Sequence, residues 1–178
     1  AELSGTIIAH RRYLHSHAEL SFEEHETTAY LVGRLKELGI PVQTFDDYTG
    51  CIATIEGGTP GRTVVLRADI DALPIEENSG VEFESIHPGV MHACGHDAHV
   101  AITLGTARIL MEARSEWSGC VKFFFQPAEE TTGGALPMVE AGCMEHPRVD
   151  YVTGLHVMPT HETGEIEIRY GDLNASSD

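Results

Sequence analysis

Basic residues are scarce in this chain. Only 11 lysines and arginines stand against 28 aspartates and glutamates, so the formal net charge of the 178 residues is −17 at pH 7. Nucleic-acid binding depends on basic patches that neutralise phosphates, and anionic membrane surfaces attract such patches as well. The scarcity therefore argues against a nucleic acid or a membrane surface as a partner.

Long apolar runs and paired cysteines are also missing. No apolar stretch approaches the roughly 20 residues of a membrane span, and residues 1–20 have a polar, helical pattern rather than that of a signal peptide. The four cysteines (Cys51, Cys94, Cys120 and Cys143) form no Cys-x-x-Cys pair, which disfavours a zinc ribbon. A chain of this size needs no disulfides. We expect a cytoplasmic protein in which Cys94 alone has a chemical role.

The apolar pattern predicts an α/β fold, a mixed central sheet flanked by helices. The predicted helices cover residues 3–14, 23–38, 97–111 and 134–141. The predicted strands cover residues 42–45, 51–56, 63–68, 121–126, 151–155 and 165–169. The GGTPG sequence at residues 57–61 favours a hairpin between the second and third strands. Pro137 fits the last helix only if it lies in the first turn.

Residues with metal-binding side chains cluster most densely at His92-Ala-Cys-Gly-His-Asp97, where an apolar helix begins. Thiolate, imidazole and carboxylate groups bind borderline transition metals. The glycine between Cys94 and His96 permits a sharp turn, so both side chains could reach one metal or a metal pair. Taken alone, the pattern favours the alternative, a buried cysteine and a histidine that caps the helix; the candidate residues that follow the predicted strands reverse that preference.

Other candidate site residues follow predicted strands. Glu129-Glu130 follow strand 121–126, and His156 follows strand 151–155. Active sites of open α/β sheets gather beyond the strand ends, so these groups are expected to converge with Cys94 and His96. Adjacent carboxylates repel each other, and a cation would relieve the repulsion. One carboxylate could then bind a metal while the other takes a proton from water. The alternative is a solvated acidic loop.

Two aspartates follow strand 63–68. If that strand continued, Asp69 and Asp71 would face opposite ways, and one could orient a metal-binding histidine; a turn-forming pair before Pro74 is the alternative. We expect the site role for Asp71 and a helix-capping role for Asp97.

Most of the 11 histidines are expected to be ordinary. His15 is expected to lie on a polar helix face and to be solvated. His99 shares a helix face with His96 and is a reserve ligand.

These motifs together resemble one family. The stretches RADIDALP (67–74), GVMHACGHDAH (89–99), FFFQPAEE (123–130), TGLHVMP (153–159) and LHSHAELSFEEHET (14–27) are similar to those of metal-dependent amidohydrolases. The group includes aminoacylases, hippurate hydrolases and auxin-conjugate (indole-acetyl-amino-acid) hydrolases, relatives of di-metal aminopeptidases and carboxypeptidases. The resemblance spans essentially the whole chain.

The resemblance implies a catalytic domain with a di-zinc-exopeptidase-like fold and two divalent metal ions, usually manganese or zinc, with nickel or cobalt as further possibilities. The implied metal ligands in this sequence are Cys94, His96, Glu130 and His156. Glu129 is then the general base that takes a proton from water, and Asp71 is an acidic residue beside the site. The implied substrates are N-acyl amino acids or small peptides, hydrolysed at an amide bond.

Family members are roughly twice as long as this chain. They carry a lid or dimerisation domain and a late histidine as fifth ligand. We therefore expect residues 1–178 to be the amino-terminal part of the catalytic domain, inactive alone, from a protein that could dimerise through its lid. Two alternatives stay open: a non-catalytic module with a structural metal, and a thiol hydrolase with Cys94 as nucleophile.

Overall fold

A five-stranded mixed sheet forms the centre of the molecule in the computed structural model, which describes residues 2–131, 133–168 and 170–171. The strands are β1 (Val42–Thr44), β2 (Cys51–Glu56), β3 (Thr59–Asp69), β4 (Ser118–Gln126) and β5 (Tyr151–Gly154). Their order across the sheet is β1-β2-β4-β3-β5. Strand β3 runs parallel to both β4 and β5, whereas β2 is antiparallel to β1 and β4.

Helices cover this sheet. They are α1 (Glu2–Ser16), α2 (His25–Glu37), α3 (His96–Glu112) and α4 (Ala135–Glu140), with a 3-10 turn at Arg114–Glu116. Pro137 is the third residue of α4, as its missing N–H requires. The predicted α/β fold with a mixed sheet and flanking helices is confirmed. Among the described residues, no helix is both long and apolar enough to span a membrane.

Strand β4 has a buried side chain on each face of the sheet. Phe123 and Phe125 pack with Leu14 of α1, Leu31 of α2 and Leu104 of α3. On the opposite face Phe124 belongs to a second cluster with residues of β2, β3 and α4. A strand buried on both faces has an uninterrupted apolar sequence, which is why this central strand was predictable.

The predicted hairpin at residues 57–61 is wrong. Strand β4 lies between β2 and β3, and the glycine-rich segment wraps around its beginning: the N–H groups of Gly57 and Gly58 donate to the carbonyls of Gly119 and Trp117. Strands β2 and β3 are adjacent in sequence, but each pairs with β4, which is more than 50 residues away in the chain. Local turn chemistry carries no information about such a partner.

The strand predicted at residues 165–169 is also wrong where it can be examined. Residues 165–168 have no strand structure, and Arg169 lies outside the described residues. The alternation of Ile166 and Ile168 suggested a half-buried strand, but their exposed fractions are 87% and 81%. Alternation produces a strand only where a sheet covers the apolar side.

Candidate metal centre

Three parallel strands bring the candidate site together at one edge of the sheet. Strands β3, β4 and β5 end at Asp69, Gln126 and Gly154. Because they run parallel, the segments that follow them leave from the same edge. These segments carry Asp71, the Glu129-Glu130 pair and His156. The convergence expected from the sequence therefore has a simple topological cause.

Gly95 brings the start of α3 to the same edge. This residue is the N-cap of α3 and adopts a left-handed conformation with φ of 82°. A Cβ atom at this position would lie 2.5 Å from Cγ2 of Val157. The glycine thus permits both the turn between Cys94 and His96 and the close approach of the chain that carries His156.

The expected capping role of Asp97 is wrong. Asp97 is the second residue of α3, and its buried carboxylate accepts from His15 at 2.7 Å and pairs with Arg11 at 2.8 Å. Gly95 occupies the cap position instead. A negative charge in the first turn still suits the helix dipole.

His96 is the centre of the cluster. Its Nδ1 atom lies 3.2 Å from Oδ1 of Asp71, so a proton on Nδ1 leaves Nε2 as the free lone pair. Nε2 lies 3.7 Å from Oε1 of Glu130 and 4.0 Å from Oε2 of Glu129. Within the described part of the chain, Nε2 of His96 and Oε1 of Glu130 are buried and have no hydrogen-bond partner. Such orphaned atoms require a ligand or ordered water.

Cys94 and His156 complete the cluster. The Cys94 Sγ atom lies 3.4 Å from Nε2 of His156, and ligand atoms of Cys94, His96 and His156 all lie within 4.8 Å of one another. The His156 ring donates from Nδ1 to the Val157 carbonyl at 2.7 Å, so its Nε2 carries the lone pair and faces the Cys94 sulfur. Three of the four residues chosen as ligands from the sequence therefore form one group, and Glu130 joins His96 in a second group.

The charges around Cys94 make the site electronegative. Burial, a hydrogen bond to Glu130 and the nearby carboxylates raise the pKa of the Cys94 thiol to about 12. A thiol in such surroundings is a poor nucleophile, because reactive cysteines need a lowered pKa. A bound cation would instead lower the pKa of the Cys94 thiol, since a coordinating thiol loses its proton.

Asp71 and Asp69 both face the cluster. The expectation that they face opposite ways is wrong, because side chains two positions apart along a strand share a face, and both carboxylates lie within 3.7 Å of the His96 ring nitrogens. Asp71 Oδ2 also accepts from the Ser21 hydroxyl at 2.7 Å and from the Glu130 N–H at 2.9 Å. Although burial opposes it, hydrogen bonds from His96, Glu130 and Ser21 keep the pKa of Asp71 below its usual value. This carboxylate is therefore placed to orient His96 and to fix the backbone of Glu130.

His99 is buried in the same cluster, but both of its ring nitrogens are occupied. Nε2 accepts from the Val157 N–H at 2.9 Å, so the proton is on Nδ1, which donates to Asp69 at 2.6 Å. Arg67 binds the other oxygen of Asp69 at 2.6 Å. Burial opposes ionisation, but these partners lower the pKa of Asp69 to about 2. His99 thus holds the chain next to His156 instead of offering a free ligand atom.

Several residues at or behind this site were missed by sequence reasoning. His15, expected to be solvated, is buried and contacts Asp97 and Glu77. Glu24 is buried behind the Glu129-Glu130 turn. The two carboxylates that His15 contacts are 62 and 82 positions away, and the partners of the Glu24 side chain are 25 and 104 positions away. A polar residue whose partners are distant in the chain gives no local signal that it is buried, so these two roles could be identified only from the folded structure.

A divalent metal fits the residues present. The cluster offers a thiol, imidazole nitrogens and carboxylate oxygens, which suit borderline divalent ions such as zinc. Two further groups of possible ligands share His96: one with Asp69 and His99, the other with Glu129 and Glu130. Because both ring nitrogens of His99 form hydrogen bonds, His99 has no lone pair to offer a metal. The remaining candidate ligands around His96 are Cys94 and His156 in one group, and Glu129 and Glu130 in the other.

Comparison with known proteins gives consistent results. The chain is 46% identical over 180 residues to thermostable carboxypeptidase 2 of Saccharolobus solfataricus, covering 99% of this chain and 45% of that protein. It is 46% identical to an N-acyl-L-amino acid amidohydrolase of Geobacillus stearothermophilus, covering 99% of this chain and 48% of that protein. The chain thus spans about half the length of the curated relatives it matches.

A solved structure shares the fold. The Bacillus subtilis YXEP protein, described as a dinuclear metal binding peptidase from the M20 family, superposes with a TM-score of 0.85 and 44% identity. The superposition covers 89% of this chain and 44% of that one. The sequence model of Peptidase family M20/M25/M40 matches residues 65–175, which contain every candidate site residue. Site, fold and sequence agree that this chain belongs to Peptidase family M20/M25/M40.

Proposed function

We propose that this chain is the amino-terminal part of a catalytic domain that hydrolyses the amide bond of N-acyl amino acids or small peptides with the help of two divalent metal ions. One observation carries the proposal: Cys94, Glu130 and His156 surround the free Nε2 of His96, while a second carboxylate, Glu129, stands beside them. Relatives named amidohydrolase, carboxypeptidase and N-acetyl-L-cysteine deacetylase support the substrate class.

The proposed ligands in this chain are Cys94, His96, Glu130 and His156. When bound, two divalent ions lower the pKa of water and polarise an amide carbonyl. Manganese or zinc would suit these donors. Asp71 holds His96 in the tautomer that presents Nε2, and the Val157 carbonyl does the same for His156.

Glu129 is the proposed general base. Its side chain is 41% exposed, so it can reach a substrate, whereas the Glu130 side chain is 21% exposed and has an orphaned buried oxygen. Neighbouring glutamates thus have different surroundings. Glu129 would take the proton from the attacking water and deliver it to the departing amine nitrogen, and Glu130 would serve as a metal ligand.

The two alternatives fit the geometry less well. A structural metal would be enclosed by four ligands, but here the carboxylate of Glu129 remains beside the site as an additional group, 4.0 Å from Nε2 of His96. A thiol hydrolase needs a reactive Cys94, but its surroundings raise the pKa of that thiol. Removing metal with a chelator distinguishes a thiol hydrolase from a metal-dependent hydrolase, because the thiol enzyme would keep its activity.

The Glu129→Gln substitution tests the proposal. We expect release of the amino acid from an N-acetyl amino acid to fall at least about 100-fold, because glutamine cannot accept the proton. Metal content, measured by elemental analysis, should stay at the wild-type level because Glu130 is intact.

The assay should use the longest product of the gene that carries these residues, alongside the 178-residue chain. The matched control is Glu140→Gln, which removes an exposed carboxylate from α4 and should change neither quantity. Full activity of the Glu129 variant would refute the assignment of the base.

A further inference from the structure

Glu24 is a fully buried carboxylate that the proposed chemistry does not use. It lies at the N-cap of α2, but its side chain does not cap that helix. It belongs to the stretch at residues 14–27 that the site does not otherwise explain. A buried carboxylate is costly unless it accepts several hydrogen bonds, so its partners indicate its role.

The Glu24 side chain connects two distant segments of the chain. Oε1 accepts a hydrogen bond from the Ala128 N–H at 2.9 Å, and Oε2 accepts one from the Thr49 hydroxyl. Thr49 lies just before β2, and Ala128 lies in the turn after β4. The carboxylate therefore joins the start of α2 to the turn that presents Glu129 and Glu130.

This turn has an unfavourable backbone conformation. Ala128 is fully buried and has φ of 49°, in the left-handed region that non-glycine residues seldom adopt. Its carbonyl accepts from the N–H of Gly134 at 3.3 Å, where a Cβ atom would lie 1.7 Å from the Pro127 carbonyl oxygen. Such a conformation persists only where the surroundings hold it. Glu24 supplies the acceptor for the buried Ala128 N–H.

We propose that Glu24 is a positioning residue: by holding Ala128 in its left-handed conformation, it directs Glu129 and Glu130 toward His96. Ser21 of the same segment supports the arrangement, because its hydroxyl and the Glu130 N–H both donate to Oδ2 of Asp71. The segment before α2 thus fixes the glutamate turn at both ends. The consequence for metal binding rests on the proposed function.

Three substitutions separate positioning from general stability. Glu24→Gln keeps a carbonyl oxygen for the Ala128 N–H and an amide that can donate to Thr49, so it is the conservative variant. Glu24→Ala removes both bonds. Leu31→Ala is the destabilised control, since Leu31 is a buried core residue of α2 that belongs to the apolar cluster and not to the turn.

Two measurements on the 178-residue chain test the proposal. One is the affinity for zinc alone, by competition with a chromophoric chelator. The other is amide hydrogen exchange of residues 128–130, followed by NMR without metal. Glu24→Ala should weaken zinc binding by about 10-fold or more and speed exchange in the turn while α3 stays protected. Glu24→Gln should stay near wild type in both, and Leu31→Ala should retain zinc affinity.

The outcomes are distinguishable. Wild-type zinc affinity in Glu24→Ala, or an equal loss in Leu31→Ala, would overturn the positioning role. If the wild-type chain binds no zinc, the proposed function fails for this chain, and the exchange data alone decide. Faster exchange confined to the turn would then still support positioning, and unchanged exchange would refute it.

Discussion

The three histidines of the site differ in what their second ring nitrogen contacts. In His96 and His156 the Nδ1 atom is taken by a carboxylate or a carbonyl, so Nε2 carries the lone pair; it has no partner in His96 and faces the Cys94 sulfur in His156. In His99 both nitrogens are used, by Asp69 and by the Val157 N–H. A metal ligand must offer a lone pair that no proton occupies, so His99 is not equivalent to the other two.

Matched substitutions should reveal this difference. We expect His96→Asn to reduce zinc affinity at least about 100-fold, because it removes a proposed ligand. His99→Asn should reduce it only about 10-fold, because it loosens the chain next to His156 without removing a ligand. Competition titration of the 178-residue chain measures both. Equal losses would show that His99 binds the metal directly.

At the residue scale, the sequence predicted those site residues that have a metal-binding side chain and also lie at the end of a helix or strand. Cys94, His96 and His156 have metal-binding side chains at element ends, and the structure brings them together. His15 was predicted wrongly, because the partners that bury it, Asp97 and Glu77, are far away in the chain. Spacing locates a residue on an element, but it cannot show which distant charge faces it.

Helices α1 and α3 are joined by a buried polar cluster. His15 on α1 contacts Asp97 through Nδ1 at 2.7 Å and Glu77 through Nε2 at 2.9 Å. Arg11 shares Asp97 at 2.8 Å, and the buried ring of His92 lies 6.4 Å from that of His15. A neutral imidazole can donate from only one nitrogen, so serving two carboxylates requires the charged form. The hydrogen bond to Asp97, together with Glu77, raises the pKa of His15 although burial opposes it.

This arrangement predicts a pH-dependent link between the two helices. A raised folded-state pKa means that the stabilisation is complete below the unfolded-state pKa of about 6.5 and is lost as pH rises through the folded-state value. His15→Gln should therefore lower the free energy of unfolding by about 2 kcal/mol at pH 6. The loss should be at most about half as large at pH 9.

Urea unfolding with chelator present measures both values without interference from metal. The control is His25→Gln, an exposed histidine at the start of α2, which should cost little at either pH. A His15 effect that stays constant or grows between pH 6 and pH 9 would contradict the charged arrangement.

Element types were more predictable than element partners. The helices at α1, α2 and α3 follow from apolar spacing, and β4 follows from its apolar run. The partners of β2 and β3 could not be predicted: their closeness in sequence suggested that they pair with each other, but β4 lies between them in the sheet. Turn residues report local backbone geometry, whereas strand order depends on which apolar faces meet in the whole core.

The whole molecule has two unlike sheet edges. Strand β1 is short and mostly exposed, with the sequence Val-Gln-Thr. Strand β5 lies at the other edge, all four of its residues are exposed, and Tyr151 and Val152 are each 54% exposed. Exposed apolar side chains continue beyond it at Leu155 and Met158. An unpaired apolar edge strand is a template for association with another chain.

The 178-residue chain made alone should therefore self-associate through β5. We expect sedimentation velocity at tens of micromolar to show dimers or larger species, and Val152→Lys to shift the distribution toward monomer, because an edge lysine opposes strand pairing. The matched control is Gln43→Lys, which adds the same charge to the exposed edge at β1 and reduces the magnitude of the net charge of −17 equally. If general repulsion governed association, both lysines would act alike and strengthen it by reducing that charge. If the Val152 variant becomes monomeric and the Gln43 variant does not, the contact lies at β5. A monomeric wild-type chain would refute the prediction.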